Sequence, residues 1–284
     1  MGSVRPPRQV CVTVVFGRHA GRLGEVFTSF AQNPFLELHA FILGDRLPDQ
    51  RAPGVTYHLR APDPAWSHPM READFRRWEL LDELDADYAL VVDGVDVVNL
   101  RPIPELPALL RGAAVAGALE HAAARWFENG TFTANFLNAG VTFWDVAKSR
   151  AIRAEVLARG RTRFRNLIDD QLVLNEVLNR HPDDFIILPW VYNCRAMLRP
   201  APGARLPWKF RAWPALDALD GVRIYHNVHG IAGLRGRRFA DLPALPELPA
   251  DDGPLREAAQ YRRRLAQRRY RHLVPVPWLP WHGG

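Results

Sequence analysis

The stretch Tyr88-Ala-Leu-Val-Val-Asp-Gly-Val-Asp-Val-Val-Asn-Leu100 limits this chain more than any other. The apolar run Ala89–Val92 stops at Asp93. Gly94 and Val95 follow, then a second carboxylate, Asp96, and then Val97-Val98. A run of β-favouring residues with no polar face predicts a buried strand. Two acids at the end of such a strand are costly unless positive charge meets them. A divalent cation meets that need: Mg²⁺ and Mn²⁺ prefer oxygen ligands, and a Gly turn lets two carboxylates converge. The competing reading is an Asp-Gly turn between strands, with Asp96 capping the next element. The stretch alone does not decide between them.

The rest of the chain alternates strand with helix. Val10–Phe16 is an apolar run stopped by Gly17-Arg18-His19, and Leu23, Val26, Phe27 and Phe30 share one face of a predicted helix over 21–32. Leu36–Leu43 and Val55–Leu59 read as two more strands. This predicts an α/β fold with a largely parallel central sheet flanked by helices. In open sheets of that kind ligands bind outside the carboxyl ends of the strands, so Gly17–His19 and Asp93–Asp96 are expected at one edge. Neither a dinucleotide fingerprint nor a P-loop is present.

Further on, a helix is predicted over 71–84, with Phe75, Trp78, Leu81 and Leu84 in step; of Arg76 and Arg77 within it, one is expected on a solvated face. A helix over 104–111 and a strand over 114–118 follow. Trp126–Phe136 reads as a loop able to cover a substrate, or as an ordinary surface loop. Asn138-Ala139-Gly140 interrupts an apolar run, which brings backbone and one amide side chain close to a point. A helix is expected over 146–159. Asp169 is read as an N-cap, which puts Asp170 and Gln171 in the first turn of the next helix. Val222–Tyr225 is a strand that delivers His226, and a little later His229, to its end.

Composition sets the outer bounds. The 284 residues are 48% hydrophobic, enough for one large or two small domains. Formal net charge is +6 and pI about 9.8, but only Lys148 and Lys209 are lysines, so the basicity is arginine in an Ala- and Pro-rich chain. Cys11 and Cys194 lie far apart, which argues against a disulfide framework or zinc site and fits a reducing cytoplasm. No apolar run approaches the ~20 residues of a membrane span. The first apolar run is too short, and lacks a cleavage site, to read as a signal sequence. Residues 1–250 read as the main domain and 251–284 as a tail. Seven arginines over 254–273, followed by Trp278 and Trp281, predict either a peripheral contact with the inner face of a membrane or a solvated helix packing its Leu stripe. Nucleic acid is disfavoured, because the aromatics follow the basic run and do not interleave with it.

Six stretches, taken in order, resemble the retaining sugar transferases of glycosyltransferase family 8, in the GT-A fold class: Phe75–Trp78, Asp93-Gly-Val-Asp96, Leu137-Asn-Ala-Gly140, Asp170-Gln171, Leu188-Pro-Trp-Val-Tyr-Asn193 and Ile224-Tyr-His226. Three departures stand out. The family's D-x-D is D-x-x-D here, Gly17-Arg18-His19 replaces the usual end of the first strand, and the late His-Gly signature is altered, with Arg235 in place of its lysine. The resemblance implies a nucleotide-diphospho-sugar donor, an acceptor that is a sugar, a lipid-linked group or a small molecule, and a Mn²⁺ or Mg²⁺ cofactor. It implies metal ligands Asp93, Asp96 and His226, with His229 as fallback. It implies donor contacts by Phe16, Gly17, Arg77, Asp93, Asn138, Ala139, Gly140, Asp170 and Arg235, and catalytic roles for Asp170 and Gln171. A ligating His must be neutral, so metal affinity is expected to fall as pH drops through the imidazole range near ~6.5. The alternatives are a nucleotidyltransferase, or a sugar-nucleotide-binding or membrane-surface module with a degenerate site.

Overall fold

A seven-stranded sheet is assembled from β1 (Gln9–Phe16), β2 (Leu36–Leu43), β3 (Val55–Arg60), β4 (Tyr88–Val92), β6 (Val115–Leu119), β7 (Leu137–Asp145) and β8 (Phe185–Leu188), in the order β3-β2-β1-β4-β7-β6-β8. The computed structural model describes residues 5–66, 69–119, 137–162, 169–195, 197–198, 215–216 and 221–226. The 126–136 loop, His229, Arg235 and the tail from 251 lie outside the described residues. All sheet neighbours pair in parallel except β7, which runs antiparallel to both β4 and β6. The mixed, mostly parallel sheet expected from the sequence is therefore present.

Alternation along the strands explains the layers. Val10, Val12 and Val14 of β1, with Ala89 and Val91 of β4, enter one core. Cys11 and Val15, with Leu90 and Val92, enter the other. The first core is closed by α2 (Pro69–Glu79), α4 (Arg150–Thr162) and α5 (Asp169–Leu178), through Phe75, Trp78, Ile152, Val156, Val173 and Val177. The second is closed by α1 (Leu23–Val26) with its flanking 3-10 turns, and by α3 (Leu106–Leu110). Both faces of the sheet are covered, which is why its strands read as unbroken apolar runs.

Several boundaries differ from the expectation. The helix over 21–32 is broken into a 3-10 turn over Gly17–Arg22, the single turn α1, and a second 3-10 turn over Phe27–Gln32. The hydroxyls of Thr28 and Ser29 donate to the carbonyls of Gly24 and Val26, and such back-bonding competes with the helical ladder. α2 gives way to a 3-10 turn at Leu80. α4 starts at Arg150 because Asp145 first closes a turn, accepting from Lys148 N at 2.9 Å and Ser149 N at 3.0 Å. α5 begins at Asp169 itself, not after it.

Two small ribbons complete the described structure. β5 (Val97–Asn99) pairs antiparallel with β11 (Ile224–His226), and β9 (Met197–Leu198) pairs with β10 (Ala215–Leu216). In the first ribbon His226 lies opposite Val97, immediately after Asp96.

Candidate active site

Asp93 leaves the carboxyl end of β4, where its amide donates to Gly140 O at 2.9 Å. Gly94 then passes so close to β1 that a Cβ there would meet Val15 Cγ1 and, at 2.6 Å, Thr13 Oγ1. Only glycine permits this turn. The chain re-enters apolar surroundings at Val97, which leaves Asp96 at the rim. β11 then brings in His226, so that Asp93, Asp96 and His226 offer ligand atoms all within 4.8 Å of one another. His226 Nε2 lies 3.4 Å from Asp93 Oδ2 and 3.6 Å from Asp96 Oδ2.

Three observations fit this trio to a divalent cation. The donor set is two carboxylates and one imidazole, suited to Mn²⁺ and also open to Mg²⁺. The other ring nitrogen, His226 Nδ1, is 3.1 Å from Asn193 Oδ1, and Asn193 Nδ2 donates to Asn138 Oδ1 at 2.8 Å. That chain makes Nδ1 the donor and turns Nε2 toward the carboxylates, the usual outer support of a metal-binding His. Gly140 supplies the space: a Cβ there would collide with His226 Cε1 and come within 2.5 Å of Asp93 Oδ2.

The electrostatics fit the same picture. Burial alone pushes the Asp93 carboxyl up, but Arg77 and His226 outweigh it and hold the group well below the ordinary carboxylate range. Burial pushes the His226 imidazole down, yet Asp96 and Asp93 reverse that and raise it to about 9. The expected transition near the ordinary imidazole value is thus displaced upward, because the two carboxylates favour the protonated ring.

Arg77 is 3% exposed and divides its guanidinium between Asp93 and Asp170. It joins the metal trio to the start of α5. Arg76, its neighbour, is also withdrawn from solvent, paired with Glu72 at 2.6 Å and Glu79 at 3.3 Å, so neither arginine occupies a solvated face. Asn138 is 2% exposed: it donates to Gln171 Oε1 at 2.9 Å and accepts from Gly140 N at 2.9 Å. Ala139 N also donates to Gln171 Oε1, at 3.0 Å. Because a backbone N–H can only donate, Gln171 holds its carbonyl inward and presents its NH₂ group. Phe16 ends β1 and Gly17 opens the 3-10 turn that follows, at the same sheet edge. Gly17, at φ +53°, borders a cavity of about 260 Å³ lined also by Ala20, Ile42, Leu43 and Gly44.

Three residues escape a reading of the sequence. Asp74 lies one turn before Arg77; burial, and then Asp170, raise its carboxyl well above the usual range. Its i,i+3 relation to Arg77 is the available signal. Asn193 is visible only as part of a motif, without its role behind His226. Arg195 acts electrostatically on both Asp93 and His226, and nothing in its sequence neighbourhood marks it.

No protein-family model matches the chain, and comparison with curated proteins finds no match. Solved structures do match. The galactosyltransferase LgtC in complex with donor and acceptor sugar analogues is 14% identical, with TM-score 0.55 over 84% of this chain and 98% of that one. An active-site mutant of LgtC gives TM-score 0.53 at 15% identity over the same shares. The bifunctional glycosyltransferase WbbM is 12% identical, with TM-score 0.54 over 86% of this chain and 51% of its own. The fold is that of GT-A glycosyltransferases.

Proposed function

We propose that this chain is a glycosyltransferase that moves a hexosyl group from a nucleotide-diphospho-sugar to an acceptor hydroxyl, with Mn²⁺ or Mg²⁺ as cofactor and retention of anomeric configuration. The observation that carries this reading is the Asp93, Asp96 and His226 trio at the carboxyl edge of a GT-A sheet. The solved neighbours, which include a galactosyltransferase with donor and acceptor analogues, support it.

A divalent cation held by the trio would supply counter-charge to the diphosphate leaving group. The chain's own residues do the rest. Arg77 fixes Asp93 and Asp170 relative to each other, and Asn138 fixes Gln171 and Asn193. Gln171 presents its amide, and Asp170 its carboxylate, at the start of α5, where sugar hydroxyls would bind. Phe16, Gly17 and the adjoining cavity would receive the nucleoside, and Ala139 and Gly140 would pass close to the donor. Retention follows the sequence resemblance. Asp170 is ion-paired and Gln171 is a poor nucleophile, so a short-lived ion pair, with the acceptor entering on the leaving-group side, is favoured over a covalent intermediate. Arg235 as a further phosphate contact, His229 as an alternative ligand and the tail as a membrane contact complete the proposal. No described helix is long and apolar enough to cross a membrane.

Hydrolysis and transfer assays over a panel of nucleotide-sugars, with Mn²⁺ and with chelator, test this reading. Sugar release that needs the metal, and a product whose anomeric configuration by proton NMR matches the donor's, are expected. Sugar-nucleotide synthesis from a sugar phosphate would favour the nucleotidyltransferase instead. Donor binding with no turnover would favour the degenerate module.

A further inference from the structure

Two histidines face each other on the outer strands of the large sheet, away from the acidic trio. β3 is the last strand in the order and pairs with β2 in parallel. His39 of β2 and His58 of β3 stack with ring centroids 5.2 Å apart, and His39 Nδ1 lies 2.9 Å from His58 Nε2. Phe41 stacks on His58 at 4.5 Å, and the Arg60 guanidinium sits 5.4 Å from the centre of the Phe41 ring. His39 is 4% exposed. In a contact of this length one imidazole donates and the other accepts, so one of the two nitrogens carries no proton. Glu37 Oε2, 3.6 Å from His39 Nε2, favours a proton there, which assigns His39 Nδ1 as acceptor and His58 Nε2 as donor. The charges around the pair are already matched. Arg8 takes Glu37 through bonds of 3.0 and 2.7 Å and lies 3.9 Å from Asp85, and Arg60 takes Glu83 at 2.7 Å. Burial holds both imidazoles below their ordinary range, against the pull of Glu37 at His39.

We propose that the His39–His58 pair is a proton-sensitive latch for β3 and for the loop that walls the cavity beside Gly17. One proton added to the pair can be shared across the contact. A second sets N–H against N–H and two like charges 2.9 Å apart, and the contact breaks. β3 then loses its side-chain tie to β2. The loop from Gly44 to Gly54 hangs on β3: Gly44 N donates to Arg60 O at 3.0 Å, Ala52 N donates to Tyr57 Oη at 2.9 Å, and Leu47 packs in one apolar cluster with Val55 and Tyr57. Gly44, Asp45, Leu47 and Asp49 line the cavity, so release of β3 opens that wall. Both imidazoles bind protons more weakly in the folded strand pair than in an unfolded chain, where the value is ~6.5. The strand is therefore latched at and above that pH and loses stability as pH falls from there through the folded values. The latch stands on these contacts alone. Its effect on donor binding rests on the glycosyltransferase reading, which seats the nucleoside in this cavity.

Amide hydrogen exchange, corrected for the intrinsic pH dependence of exchange, tests the latch at about pH 7.5 and about pH 5.5, on either side of the imidazole range. It is measured on wild type and on His58→Gln, whose amide keeps a donor near the place of Nε2 and takes up no proton. Wild type should lose protection at Gly44 and along β3 by up to about tenfold per pH unit for each proton taken up, while β1 and β4 keep theirs. His58→Gln should hold its protection at both pH values. If that variant does not fold, His39→Asn, which keeps an acceptor in place of Nδ1, makes the same comparison. Protection along β3 that stays constant in wild type, or that falls equally in the variant, overturns the latch. Affinity for uridine and guanosine diphosphates, with Mn²⁺ saturating, is read on the same two proteins. Wild type should bind more weakly than His58→Gln at the lower pH and equally at the higher one, since any titration of His226 is common to both. Equal affinities at the lower pH, beside a selective loss of β3 protection, would keep the latch and take the nucleoside out of this cavity.

Discussion

His226 and Asp93, brought together from distant parts of the sequence, stand with Nε2 3.4 Å from Oδ2. In the metal-free protein this contact is an ion pair, since His226 is raised to about 9 and Asp93 is lowered. A histidine whose folded value exceeds its unfolded ~6.5 stabilises fully below that unfolded value and loses its contribution as pH rises through the folded value. Melting temperatures in chelator should therefore fall between about pH 6.5 and 9, and His226→Ala should flatten that slope. Mn²⁺ affinity should rise over the same window, because the cation displaces the proton. Calorimetry in buffers of different ionisation enthalpy should show proton release at pH 7. Binding that releases none would mean that His226 is neutral or is not a ligand.

Gly140→Ala tests the cradle. The added methyl would enter the space between His226 and Asp93, while the strand it sits on is otherwise well packed. Mn²⁺ affinity should drop by roughly ten- to a hundredfold, the scale seen when metal ligands are misoriented. Gly117→Ala on the neighbouring strand is the control, since its nearest neighbour would be Leu137 Cδ1 at an ordinary 3.4 Å. Equal Mn²⁺ titrations for the two variants would argue against the site.

Arg77→Ala should destabilise the protein by about 3 kcal/mol in urea denaturation, because the nearly buried Asp170 and the part-buried Asp93 lose their shared, buried cation. Addition of Mn²⁺ should restore part of this by neutralising Asp93. A stability change below about 1 kcal/mol, the level of an exposed ion pair, would mean that solvent already screens Arg77.

The tail prediction rests on the arginines of 254–273 and on Trp278 and Trp281. Removing residues 254–281 should weaken sedimentation with anionic vesicles and leave hydrolysis of soluble donors unchanged. Equal sedimentation of full-length and shortened protein would dispose of the membrane contact.

The parts of the site legible in the sequence are those set by local pattern. Asp93 and Asp96 announce themselves because acids at the end of an apolar strand demand a partner. The strands themselves are clear because both faces are buried, as Val10 to Val15 show by filling two cores in alternation. Arg77 stands out in its motif, but its double attachment to Asp93 and Asp170 is a matter of tertiary contact. Asp74 and Arg195 stay hidden, since each gains its meaning only from groups far along the chain. The broken helix over 17–32 is hidden too, because its apolar spacing is helical while Thr28 and Ser29 turn their hydroxyls onto the backbone. The ribbon of β5 with β11 is three residues long on each strand, too short for periodicity to reveal, yet it places the histidine.

The most direct test of the account is Asp96→Asn, which removes one ligand charge and keeps the side chain's shape. Donor hydrolysis and Mn²⁺ binding should be measured together on wild type and variant. The account predicts that Mn²⁺ binding weakens at least tenfold and that most of the Mn²⁺-dependent sugar release is lost. Wild-type rates with an unchanged Mn²⁺ requirement would show that Asp93-Gly-Val-Asp96 is only a turn between two strands.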